Sequence, residues 1–371
     1  MSDLSFDWIV EGLLIFVSCL LGIVLNILLI LIFCSYQLKQ KTFQRLMMSL
    51  ALSDLLYLAS SAWVFSCPLL WPDISTTHMF AYSVTFMLPL AHTGLTGSIM
   101  LTCGMSLERY ITVCHPFFKI AHKWPAWYYL LPIGTISFLY TLPRYFELRV
   151  LQINYQLENS TLEDSNITLY SLQPTKLRLN ENYVNLYIMW ANLIVLGILP
   201  YTILLFLNIS IFKTIKKMQN DDDLGVLGFN PGIRSQRRKE VNLSKISILI
   251  VIVFMVCHSL KWLPTVWEIT QKGKALSDYE WPDWIAKISS MSNFLTTLNG
   301  SFTALVYFIK QRRFITEHTF VKYIFRSQGT SLERIEELEG SRRNTVFTHL
   351  SNSRNVLPLL DQENGDATTE L

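Results

Sequence analysis

Charge is what this chain has least of. Asp, Glu, Lys and Arg make up 16% of its 371 residues, where a soluble domain carries about a quarter. The formal net charge is only +3, too slight an excess of cations for the basic face that a nucleic-acid binder needs. No nucleic-acid partner is expected. Catalytic signatures are missing as well. There is no His-Glu-x-x-His pair, no Gly-rich phosphate loop ending in Lys, and no Cys pair at metal spacing, so an enzyme is not expected. No internal repeat of interrupted helices, as transporters use, is found. The six cysteines (Cys19, Cys34, Cys67, Cys103, Cys114 and Cys257) all fall in or near apolar runs. The long connection over 147–185 holds none, which leaves no disulfide framework there.

What the chain does have is apolar length. It is 51% hydrophobic, with a mean hydropathy of +0.31. Seven runs can be marked, at 9–33, 46–70, 80–103, 127–146, 186–212, 246–267 and 285–309. About 20 residues at 1.5 Å rise suffice to cross a bilayer. Several runs contain Pro, which a membrane helix tolerates when neighbouring groups satisfy the freed carbonyl. No positive segment precedes the first run, and that run is too long for a cleaved signal. The expected fold is an all-α membrane protein, a seven-transmembrane helix bundle. Its parts are a short extracellular N-terminus (1–8), the bundle (9–310), an amphipathic membrane-surface helix (311–325) and a disordered cytoplasmic tail (326–371).

The connections alternate in sign. Lys39, Lys41 and Arg45 lie in the first, Lys119, His122 and Lys123 in the third, and Lys213, Lys216, Lys217, Arg234, Arg237, Arg238 and Lys239 in the fifth. Lys310, Arg312 and Arg313 follow the last run. The opposite connections hold Asp73, then Glu158, Glu163 and Asp164, then Asp278, Glu280 and Asp283, with Lys272 and Lys274 beside them. The positive-inside rule then puts the N-terminus outside and the C-terminus in the cytoplasm of a multi-pass plasma-membrane protein. Sequons at Asn159 and Asn166 fall on the outer side and are glycosylation candidates. Those at Asn208 and Asn242 match equally well but would lie in a helix and on the cytoplasmic side.

Polar residues inside the runs carry the rest of the signal. The third run leads without a charge into Glu108, Arg109 and Tyr110. Arg109 needs a partner in Glu108 or on a neighbouring helix, although an ordinary membrane exit would give the same pattern. Asn26 reads as an interhelical hydrogen bond. Asp54 reads either as a protonated carboxyl locking two helices or as part of an ion site. Asp54, Ser98, Asn299 and Thr303 are oxygen donors of the kind a hard cation such as sodium prefers. Arg144 and Glu147, three apart, can pair on a helix face. The polar loop over 148–181 could lid a cavity. His258, Lys261 and Glu268 lie in the outer half of the sixth run, facing a cavity or, for Lys261, snorkelling. After the seventh run, KQRRFITEHTFVKYIF reads as a helix lying on the inner leaflet. Ser327, Thr330, Ser331, Ser341 and Thr345 in the tail are phosphorylation candidates.

These residues carry a resemblance to the rhodopsin-type (class A) G-protein-coupled receptors. It rests on LALSDLL around Asp54, SLERYITVCHP around Arg109, Pro200 with Asn208, Phe254 with Cys257, and Tyr307 followed by QRRF. It covers about 12–323. Within the class, LPLAHTGLTGSIM and LPRYFE are similar to invertebrate receptors for FMRFamide-like neuropeptides. The resemblance implies a receptor for an extracellular, amidated neuropeptide, acting on an intracellular heterotrimeric G protein, with arrestin and a receptor kinase as further partners. It implies that Glu108, Arg109, Tyr110, Asn208, Phe254 and Tyr307 form the activation switch, with Arg109 restraining the sixth span in the off state. It implies an allosteric sodium ion at Asp54, Ser98, Asn299 and Thr303. A ligand cavity walled by His92, Leu95, Tyr187, His258, Lys261 and Glu268 would follow, with Glu268 or Glu147 facing a ligand cation.

The chain also departs from the family's pattern. Val84 stands where the third span usually offers a Cys to the outer loop, and Gly134 where the fourth span usually has Trp. The sixth-span pattern Cys-Trp-x-Pro reads Cys257, His258, Ser259, Leu260, with Pro264 a turn later. The seventh-span pattern Asn-Pro-x-x-Tyr reads Thr303 to Tyr307 without the Asn or the Pro. An atypical or constitutively active receptor is therefore the alternative expectation. The position that is Asp in amine receptors is Ala91, which disfavours a small amine ligand.

Overall fold

The structure, a computed structural model, describes residues 6–35, 42–122, 124–156, 166–223, 231–270 and 282–310. The expected surface helix over 311–325, the tail and Asn159 lie outside the described residues. Lipid offers no partner for a free N–H or C=O, so spanning segments must bond their own backbone. The chain answers with α1 (Trp8–Cys34), α2 (Thr42–Leu70), α3 (His78–Cys114), α4 (Trp127–Thr141), α5 (Glu181–Asn220), α6 (Arg237–Thr270) and α7 (Asp283–Lys310). Among the described residues, α1, α2, α3, α5 and α6 are long and apolar enough to cross a membrane. Helix α4 has 15 residues and tightens into a 3₁₀ turn, Leu142–Phe146. Helix α7 runs 28 residues but carries Ser290, Ser292, Thr296, Thr297, Asn299, Ser301 and Thr303, which lower its hydropathy.

Helix α3 is the axis. It packs against α2, α4, α5 and α6, while α7 closes onto α1, α2 and α6. Two features set how α3 begins and how closely it meets α2. Thr77 caps the α3 N-terminus by accepting from Phe80 N–H at 3.3 Å. Gly94 lets the backbones meet, since a Cβ there would stand 2.7 Å from Tyr57 N. The bundle is apolar outward and keeps its buried polar groups on inward faces. Val17, Leu21, Val24 and Leu28 of α1 are exposed, whereas Ser18 and Asn26 on the same helix are buried. As the sequence suggested, Asn26 bridges helices: its Nδ2 donates to Gly22 C=O and to Gly300 C=O of α7, both at 2.9 Å. Ser301 Oγ donates to Ser18 C=O at 2.7 Å. Each such bond is worth about 0.6 kcal/mol in a membrane bundle.

The bundle is all helix, but the connection read from sequence as a polar loop over 148–181 contains strands. It forms an antiparallel hairpin of β1 (Leu148–Gln156) and β2 (Asn166–Pro174), in register from Leu148↔Pro174 to Gln156↔Asn166. Asn166, the second sequon, opens β2. The hairpin is fastened at its base, where Thr175 N–H donates to Glu147 C=O at 2.9 Å and Thr175 Oγ1 to Phe146 C=O at 2.6 Å. Its Tyr170 ring meets His78 at the outer start of α3, 5.6 Å between centroids.

Candidate functional site

At the C-terminal end of α3 the helix continues through Glu108 and Arg109 to Cys114, so both side chains are held inside the bundle instead of at a frayed exit. Arg109 is 2% exposed. Its Nε and Nη2 contact Glu108 Oε2 at 2.6 and 2.5 Å, and its Nη1 donates to Glu240 Oε2 on α6 at 2.8 Å. The guanidinium also lies 4.6 Å over the Phe43 ring of α2. Glu108 uses its other oxygen on Lys119 Nζ at 2.8 Å and Thr112 Oγ1 at 3.1 Å. Two cations thus meet two carboxylates, which is what makes a buried ion cluster tolerable. Glu240, which ties α3 to α6, has no local signal in the sequence. It lies 131 residues from Arg109, beyond the reach of any spacing argument.

The other switch candidates surround this clamp without joining it. Tyr110 pairs its OH with His115 Nε2 at 3.1 Å. Asn208 Nδ2 donates to Leu204 C=O at 2.7 Å and reaches Ser106 Oγ of α3 at 3.4 Å. Phe254 is packed between Tyr201 and His258, with centroids at 5.8 and 4.4 Å. Tyr307, 2% exposed, stands edge-on to Phe33 at 5.2 Å.

In the middle of the bundle, Ser98 Oγ donates to Asp54 Oδ1 at 2.6 Å. Asp54 Oδ2 and Asn299 Oδ1 are buried acceptors with no hydrogen-bond partner. Thr303 Oγ1 is used within α7, donating to Asn299 C=O at 3.0 Å. Hydrogen bonding therefore joins Asp54 to Ser98 and Asn299 to Thr303 as separate pairs. Two acceptors left without donors fit a hard cation better than another acceptor-rich contact would.

At the opposite end, beside the hairpin, the expected pocket residues divide. Leu95 belongs to the central apolar core with Leu58, Leu204 and Phe254. Arg144 and Glu147 do not pair with one another. The chain leaves the 3₁₀ turn at Glu147 to enter β1, which sends the two side chains apart. Arg144 Nη1 reaches His92 Nε2 at 3.2 Å and its guanidinium faces the Tyr187 ring at 5.6 Å. Because a guanidinium only donates, His92 Nε2 is the acceptor and the ring proton sits on Nδ1. Tyr187 OH donates to Tyr140 C=O at 2.5 Å. Glu147, 7% exposed, accepts from Tyr183 OH at 2.7 Å and stands 3.9 Å from Arg178 Nε. It latches the hairpin to α5. Helix α6 breaks at this level: helical to Cys257, it passes through a 3₁₀ turn, Ser259–Lys261, and resumes at Trp262. His258 and Lys261 flank that break, and Glu268 lies two turns beyond.

A family model described as the 7 transmembrane receptor (rhodopsin family) matches residues 25–299. The chain is 28% identical over 312 residues to an FMRFamide receptor of Drosophila melanogaster, covering 82% of this chain and 52% of that one. It is 23% identical over 318 residues to an FMRFamide peptide receptor of Caenorhabditis elegans, covering 83% and 68%. It is 24% identical over 336 residues to neuromedin-U receptor 2 of Homo sapiens, covering 88% and 74%. The chain thus spans about half the length of the Drosophila relative.

Proposed function

Because the chain belongs to the 7 transmembrane receptor (rhodopsin) family, we propose that it is a peptide-activated receptor coupling to heterotrimeric G proteins. The observation that carries this reading is the Arg109–Glu240 contact at 2.8 Å, which holds the inner end of α6 against α3. In that arrangement the inner mouth is shut. The break in α6 at Ser259–Lys261 lets its outer part tilt without melting the helix below, since a 3₁₀ stretch within a helix marks a hinge. A ligand that binds better when α6 is tilted shifts the population toward the unclamped state. Arg109 is then free to meet the G protein. The resemblance to FMRFamide and neuromedin-U receptors supports an amidated peptide as ligand. Glu268 is the better counter-charge for its arginine, because Glu147 is already held by Tyr183 and Arg178.

In this reading all seven helices span the plasma membrane, with the N-terminus outside, glycans on Asn159 and Asn166, and a surface helix over 311–325. The tail takes a receptor kinase and arrestin. Asp54, Ser98, Asn299 and Thr303 would hold a sodium ion, whose charge would meet the two partnerless acceptors. The second reading, altered or constitutive coupling, is favoured by α7 itself. It runs unbroken from Asp283 to Lys310, with Ala304 where the family pattern places a Pro.

Real-time G-protein activation separates the two. Cells expressing the chain at a verified surface level are challenged with amidated invertebrate peptides, beside Arg109→Ala. A saturable response lost in the variant is expected. Silence across the panel would count against a peptide receptor, and a raised basal signal abolished by Arg109→Ala would favour constitutive coupling.

A further inference from the structure

The two ends of the bundle differ in how their charges are settled. Inside, Arg109 and Lys119 meet Glu108 and Glu240 at 2.8 Å or closer. Outside, Arg144, Arg178 and Lys261 all act electrostatically on His92. The ion pair described there is the loose 3.9 Å contact of Arg178 with Glu147. Glu268 is within the field of Arg178, but among the described residues no cation lies within 4.0 Å of it. Arg144 and Lys261 have no carboxylate partner among the described residues, and each lies in the field of the other. The Arg144 guanidinium meets His92 by hydrogen bond and faces the Tyr187 ring, neither of which brings a negative charge. Next to Lys261, His258 is 2% exposed and its Nε2 has no hydrogen-bond partner.

Half-buried like charges beside a bilayer repel and lose hydration, and a cluster of this kind is functional far more often than idle. What it lacks is one negative group with acceptor oxygens. We propose that Arg144, Lys261 and His258 form a recognition site for a carboxylate on the extracellular ligand, that is, for an acidic residue of the peptide. This rests on the peptide-receptor reading and adds to it the ligand's second charge. Arg144 supplies the planar fork that grips a carboxylate and Lys261 the point charge. Since Lys261 ends the 3₁₀ turn of α6, an acid seated there pulls directly on the hinge.

The test uses peptide pairs with Asp or Asn at each of the three positions preceding Phe-Met-Arg-Phe-amide. On the full chain at the cell surface, at least one Asp peptide is expected to be about tenfold more potent than its Asn twin. That ratio should fall to near one in Lys261→Gln and Arg144→Gln and persist in Lys261→Arg. It is taken within each variant, so expression and folding cancel. Equal potencies on the unchanged chain, or a ratio that persists in both Gln variants, would overturn the site. Thermal unfolding of the purified chain in sodium acetate against sodium chloride covers the case in which no peptide activates. An acetate-specific rise in Tm, lost in the Arg144→Gln/Lys261→Gln double variant, would support the carboxylate site while sinking the peptide reading. No acetate-specific rise together with no peptide response would overturn the site itself.

Discussion

A buried arginine in a membrane bundle must be answered, and how it is answered decides what the residue can do. Glu108 sits on the same helix as Arg109 and can neutralise it without restraining anything. Glu240 belongs to α6, so its 2.8 Å contact converts neutralisation into a tether. The side chain of Glu240 is 24% exposed, which keeps the tether's worth near that of a surface pair, about 1 kcal/mol. Glu240→Gln should therefore raise basal G-protein activation about fivefold, the population ratio that such an energy corresponds to. Basal signalling equal to the unchanged chain at matched surface level would mean that the contact does not hold the off state. The sequence announced that Arg109 needs a partner, because a lone cation in an apolar run is costly. It could not say which, because partners on different helices are chosen by packing and not by spacing. Arg144 makes the same point. Its neighbour at three residues looked like the partner, yet it reaches 52 residues back to His92.

At the level of elements, the helices were legible because lipid leaves the backbone so few options. Length and apolarity gave α1 nearly to its ends, whereas α3 and α5 run on past their apolar stretches to Cys114 and Asn220 and α6 begins earlier, at Arg237; Asn26 gave one true crosslink. The hairpin was not read, although Val150, Tyr155, Ile167 and Tyr170 are residues that strands favour. Their polar neighbours made the stretch read as a loop, and a two-stranded hairpin at the end of a bundle needs no continuous apolar face. What holds the hairpin is a carboxylate that sequence reasoning offered to the ligand. Tyr183→Phe removes the hydroxyl donated to Glu147, a bond to a charged group worth about 1.5–3 kcal/mol. Protease nicking within 148–174 of the purified chain should then run at least about tenfold faster, tracking the opened population. An unchanged rate would assign the anchoring to Thr175 and Tyr170 alone.

For the molecule as a whole, the proposed coupling between the two ends passes through the layer that contains Asp54 and Asn299. Their two partnerless oxygens stabilise whichever arrangement lets something positive approach them. A sodium ion bound in the clamped arrangement would raise its melting temperature by mass action. Sodium chloride in place of choline chloride should lift the Tm of the purified chain by about 2 °C or more, and Asp54→Asn should abolish that lift. A Tm indifferent to sodium would leave a proton or water as the group that satisfies these acceptors. That Ser98 donates to Asp54 while Thr303 is spent on its own helix was beyond sequence reading, since spacing does not show which oxygens on different helices meet. One further property comes from the way the hairpin is fastened. All six cysteines are free thiols, and the hairpin is held by Glu147, Thr175 and Tyr170 through hydrogen bonding and ring contact. Nothing in that fastening gains or loses electrons, so a reductant strong enough to open a sulfur-stapled loop finds nothing here to cut. The hairpin end of the bundle keeps its shape whatever the redox state of the medium around it.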